Sequence, residues 1–141
     1  MQQTISVISD VKNLGELLDG ARVDDAQVLP GGGRLRLELA LTRACRERPP
    51  VGRRGLLTHA KPPEVKSRLV LGQITAASIQ RRSGASEDHA PFVVCEAVAG
   101  GYEIRVAAPD GLRLRLTLEQ LDGQFADVGE PVAPSGGVRS A

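Results

Sequence analysis

The chain is almost without aromatic side chains. It has no Trp, one Tyr (Tyr102) and two Phe (Phe92 and Phe125) in 141 residues. A site that stacks planar rings or unpaired bases has nearly nothing to stack on, and the core must be built from Leu, Val, Ile and Ala. Cysteine is scarce too. Cys45 and Cys95 are the whole complement, too few for the disulfide framework of a small secreted domain. No apolar run approaches the roughly 18 residues of a membrane-spanning helix. The opening stretch MQQTISVISD lacks both a basic start and a long apolar segment, so it does not read as a signal peptide. The expected setting is the cytoplasm, with reduced thiols and no membrane partner.

The usual marks of chemistry are also missing. Gly31-Gly32-Gly33 lacks the lysine and the strand–loop–helix setting of a phosphate loop, and there is no Gly-x-Ser-x-Gly elbow. His59 and His89 could join Cys45 and Cys95 as four zinc ligands. Their spacings of 14, 30 and 6 residues contain no close ligand pair, which is how zinc sites usually draw their ligands. Cys45 with His59, or Cys95 with His89, is a conceivable nucleophile pair. Cys45 has positive neighbours in Arg43 and Arg46 that could depress its pKa, but it also follows an apolar strand where burial suits it. Cys95 sits beside Val93 and Val94, where a small hydrophobe fits. The adjacent carboxylates Asp24–Asp25 and Glu87–Asp88 would point to opposite faces of a strand, so neither pair reads as an acid–base dyad. No cofactor, metal or small-molecule ligand is inferred, and an enzyme using the Cys and His residues is the weakest of three functional readings.

What the chain does have is alternation of period two. Residues 34–43 place Leu35, Leu37, Leu39 and Leu41 on one face, and residues 112–119 do the same with Leu112, Leu114, Leu116 and Leu118. Such alternation over eight residues predicts half-buried antiparallel strands. Pro30-Gly31-Gly32-Gly33, Gly100-Gly101 and Pro109-Asp110-Gly111 lie between alternating runs and predict hairpin turns. The expected strands are 22–29, 34–43, 67–80, 91–99, 102–108 and 111–119, with a bulge or bend at Gly72. Val11–Leu18 predicts a short helix capped by Asp10 and stopped at Gly20, and Leu118–Phe125 could hold another turn or two. The fold class expected is therefore mainly β: a single antiparallel sandwich or partly open barrel of about six strands, with one or two short helices. Residues 1–128 form the domain, 44–66 a long proline-rich loop inside it, and 129–141 a flexible Gly/Pro/Ser tail. The similar stretches 29–39 and 108–118 hint at an internal repeat, although any two Leu/Arg hairpins look alike.

Charge is segregated. The net charge is +1, yet residues 43–82 hold ten basic and two acidic side chains, while residues 83–141 hold four basic and nine acidic. Arg43, Arg46, Arg48, Arg53, Arg54, Lys61, Lys66 and Arg68 are the candidate contact residues. Arginine suits bidentate contact with carboxylate or phosphate. The leading functional expectation is a non-enzymatic interaction or structural subunit. It would dock on an acidic protein surface, or self-associate, through this segment. The alternative is a nucleic-acid-associated protein using the same arginines on phosphates, and the plain possibility is a solvated loop.

Overall fold

The computed structural model describes residues 1–45, 62–81 and 91–132. Eight strands and one helix run in the order β1 (Gln2–Ile5), α1 (Ile8–Leu17), β2 (Arg22–Gly31), β3 (Arg34–Ala44), β4 (Glu64–Arg81), β5 (Val93–Val98), β6 (Gly101–Ala107), β7 (Leu112–Leu118) and β8 (Gly123–Val132). All pairings are antiparallel, and the sheet curls into a partly open barrel. The two leucine runs are β3 and β7, and the three glycine-bearing turns join β2–β3, β5–β6 and β6–β7 as expected.

The centre of the fold is β4. One of its edges pairs with β3 from Glu64 to Ile74. Its other edge is shared: residues 64–71 pair with β8, and residues 74–81 pair with β7. The chain bends where the partner changes. Between Leu35↔Ile74 and Leu37↔Leu71, β4 holds one residue more than β3, which makes a bulge, and Gln73 takes a left-handed φ of 57° there. The freed backbone groups are satisfied by the segment joining β7 to β8: Gly72 N–H donates to the Asp122 carbonyl and Glu119 N–H to the Gln73 carbonyl. The bulge expected at Gly72 takes in Gly72 and Gln73, with the left-handed φ on Gln73.

Beyond β3, β2 forms one flank. Beyond β8 lies β1, and beyond β7 lie β6 and then β5. The inward leucines pack as one core: Leu37, Leu39, Leu41, Leu69, Leu114, Leu116 and Leu118 are all at most 2% exposed. Helix α1 covers the open side of the curl with Val11 and Leu14, followed by buried Leu18.

Several boundaries differ from the sequence expectation. Among the described residues the strands number eight, two more than the alternation marked, because β1 and β8 lack a clean apolar alternation. The predicted helical turn over Leu118–Phe125 is absent; Gly123–Phe125 instead opens β8. Helix α1 begins before Asp10, which is its third residue and not its cap. There the Asp10 carboxylate accepts hydrogen bonds from the Ser6 and Val7 N–H groups. Ala44 ends β3 and Glu64, Val65 and Lys66 open β4, so these residues are not loop. Gly129–Val132 belongs to β8, not to a tail; 46–61, 82–90 and 133–141 lie outside the described residues.

Candidate functional site

The basic residues picked out by composition separate into two groups. Arg46, Arg48, Arg53, Arg54 and Lys61 lie outside the described residues. Arg43, Lys66 and Arg68 are described, and each is bound within the chain. The Arg43 side chain is 0% exposed and grips Asp127 with two hydrogen bonds, Nε to Oδ1 at 3.1 Å and Nη2 to Oδ2 at 2.8 Å. Its Nη1 donates to the Ala44 carbonyl, and Ser67 Oγ donates to Asp127 Oδ1 at 2.8 Å; the Met1 amino group is 3.3 Å from the same carboxylate. Arg43 therefore offers no surface to a partner. Burial alone would raise the pKa of Asp127, but the bonds from Arg43 and Ser67 and the charge of Arg43 outweigh it and hold the carboxyl below its ordinary value.

Lys66 and Arg68 stand on the outer face of β4. Lys66 Nζ is 2.8 Å from Thr42 Oγ1 and 3.4 Å from Asp24 Oδ2. Arg68 donates to Glu38 at 2.7 Å, and Arg36 reaches the same carboxylate at 3.0 Å. The hydrogen bond and charge of Arg68 lower the Glu38 pKa against a desolvation penalty. Exposed pairs of this kind contribute little stability, but they fill the valences that a phosphate or an acidic partner would need.

A different place in the fold has an edge without a strand partner: among the described residues β5 pairs with β6 and with no strand on its other side. Ala107 N–H donates to the Phe92 carbonyl, which fixes the phase of this ladder: residues 94, 96 and 98 bond to β6, and residues 93, 95 and 97 turn their N–H and C=O groups to the free side. Val93 is covered by α1, since a Cβ added to Gly15 would lie 3.0 Å from the Val93 carbonyl oxygen. Among the described residues nothing pairs with the free-side groups of Cys95 and Ala97. Beside this edge runs a half-open groove of about 660 Å³ between α1 and β5, lined by Ile8, Lys12, Gly15, Glu16, Val94 and Cys95 among others.

Cys45 is buried and Cys95 half-buried, and both are free thiols. Burial, aided by the negative charge of Glu96, pushes the Cys95 thiol above its ordinary pKa, the opposite of what a nucleophile requires. His59 and His89 lie outside the described residues. Among the described residues no three His, Cys, Asp or Glu side chains converge as a metal site, and no helix is long and apolar enough to cross a membrane. No family model, no curated protein and no solved structure matches the chain.

Proposed function

We propose that this chain is a non-enzymatic protein-interaction subunit that takes up an extended segment of a partner protein along the free edge of β5. The observation that carries the reading is the pair Cys95 and Ala97, whose outward backbone groups have no strand partner among the described residues, on a strand whose flanking groove can receive alternate side chains of an added strand. Strand addition of this kind draws affinity from main-chain bonds and specificity from the pockets alongside. Other edges are less suited. β2 has a bulge at Asp24 and carries Asp25 and Pro30, devices that discourage edge pairing. β4 beyond Ile74 is open on its β3 side, but the α1 groove lies beside β5. A second copy of this chain is the other occupant that the edge admits: a two-fold axis at Glu96 would set Cys95 of one copy opposite Ala97 of the other, and the test separates the two. The arginines at 46, 48, 53 and 54, with Lys61, would add attraction for an acidic partner.

Ala97→Pro removes only the outward N–H of an edge residue, which a sheet tolerates. The test is affinity capture from the native cell extract with the intact chain, alongside this variant and Arg48→Gln/Arg53→Gln/Arg54→Gln, folding being checked by circular dichroism. A protein retained by the intact chain, with the Cys95 and Ala97 amides protected from hydrogen exchange in the complex, and lost on Ala97→Pro is the expected result. Retention unchanged by Ala97→Pro, a dimer that dissociates on Ala97→Pro, or duplex binding with a steep salt dependence would each overturn it.

A further inference from the structure

The outer face of the half-sheet β4–β7–β6–β5 is ordered in cross-strand rows. One row holds Thr117, Glu103 and Glu96; the next holds Ser78, Arg115, Arg105 and Val94; the third holds Gln80, Arg113 and Ala107. Residues directly opposite on neighbouring strands are the ones that touch. The acidic row therefore serves the middle row. Arg105 pairs with both Glu96 and Glu103, and Arg115 pairs with Glu103 at 3.2 Å. It does not serve Arg113, one row further away, whose two neighbours are an amide and a methyl group.

The consequence is specific to one side chain. Among the described residues, Arg22, Arg34, Arg36, Arg43, Arg68, Arg81, Arg105 and Arg115 each form an ion pair with a carboxylate. Arg113 forms none. Its guanidinium is nonetheless held in place, because Nη1 donates to the Ala108 carbonyl at 3.0 Å and to the Leu112 carbonyl at 2.9 Å. Both Nη1 hydrogens are thereby used. The edge made by Nε and Nη2 is left over, and that edge is a planar fork matched to the two oxygens of a carboxylate.

Arg113 lines a trough of about 420 Å³ together with Ser78, Gln80, Val94, Arg105 and Arg115 among others. Charge sets the ligand. Three arginines against two glutamates leave a local excess of one positive charge, which matches a single carboxylate and not a phosphate dianion. Ser78 and Gln80 supply neutral hydrogen bonds on one side, and Val94 an apolar wall on the other. We infer that this trough is a carboxylate-binding site in which Arg113 grips the anion side-on, the carboxylate being borne on a small apolar group. A glutamate side chain of a bound protein and a free short-chain carboxylic acid present this same chemistry. The site stands independently of strand addition at β5.

Amide NMR shifts of the intact chain test it, with four probes: sodium butyrate, the blocked tripeptide acetyl-Val-Glu-Val-amide, the same peptide with Gln for Glu, and inorganic phosphate. Saturable shifts at Ser78, Gln80 and Arg113 with butyrate or the Glu peptide, and not with the Gln peptide, are expected. The tighter of the two names the source. Arg113→Gln should weaken binding at least tenfold, and Arg113→Lys, which keeps the charge without the fork, should also weaken it. Should Arg113→Gln fail to fold, Arg113→Lys alone decides. No saturable shift with either carboxylate, equal binding by the Gln peptide, tighter binding of phosphate, or full affinity in Arg113→Lys would each overturn the inference.

Discussion

Arg43 and Asp127 are 84 residues apart in the chain and share one buried bidentate bond. Each interrupts the apolar inward face of its own strand, after Leu41 in β3 and after Phe125 in β8. Each interruption is tolerated because the other meets it. Removing one member strands the other, which costs roughly 3–5 kcal/mol for a buried pair. Asp127→Asn and Arg43→Met should each therefore lose about that much in urea unfolding. The double variant Arg43→Met/Asp127→Leu should recover part of the loss, since apolar replacement of a whole buried pair is often neutral but buried Ser67 Oγ then loses its acceptor. Simple additivity of the two single costs would show that the groups act separately. This pair is also why composition misassigned Arg43. A run of basic residues reads as a surface patch until the carboxylate that neutralises one of them arrives from a distant strand, and nothing local announces that.

At the scale of elements, what the sequence disclosed was what depends on neighbours close in the chain. The leucine alternation of β3 and β7 and the glycine turns are local, and they marked the hairpins correctly. β1 and β8 are four residues and an irregular ten; they are strands because β4 and each other offer edges to pair with, which no local pattern encodes. Of the candidate site, Lys66 and Arg68 were legible as charges but not as already partnered charges, and the open edge of β5 was not legible at all, since an edge exists only once strand order is known. The bend in β4 has a local signature and a test. Left-handed φ costs a side-chain-bearing residue about 1–2 kcal/mol, whereas glycine there loses about 0.4–1 kcal/mol through a freer unfolded chain. The first outweighs the second by a small margin, so Gln73→Gly should match or slightly exceed the starting stability. Gln73→Val, β-branched at positive φ, should lose about 1–2 kcal/mol. Equal midpoints for Val and Gly in denaturant titration would mean that the bend relaxes elsewhere.

For the molecule as a whole, acid is the revealing perturbation. Asp127 has a folded-state pKa below its unfolded value, and so do Asp10, through bonds from the Ser6 and Val7 N–H groups, and Glu38, through Arg68. A depressed carboxyl pKa stabilises the fold above the unfolded value of roughly 4 and ceases to do so as pH falls through the lower, folded value. The thermal midpoint should accordingly be level between pH 7 and 5 and fall steadily below about pH 4. A midpoint unchanged down to pH 3, by circular dichroism, would mean that these bonds are matched in the unfolded chain.

The division of β4 between two partners has a bearing on how the chain can be assembled or taken apart. β7 and β8 lie end to end along one edge of it and do not pair with each other, while β3 spans the junction on the opposite edge. A fragment ending with β4 has an entire edge without strand partners, and a fragment beginning after it holds the β5–β6–β7 meander together with β8, whose partners β1 and β4 are both missing. Among the described residues β4 is thus the strand through which both parts of the sheet are joined. The pairings of β4 with β7 and β8 join strands far apart along the chain, the kind of distant pairing that makes folding slow relative to a helical protein of the same size.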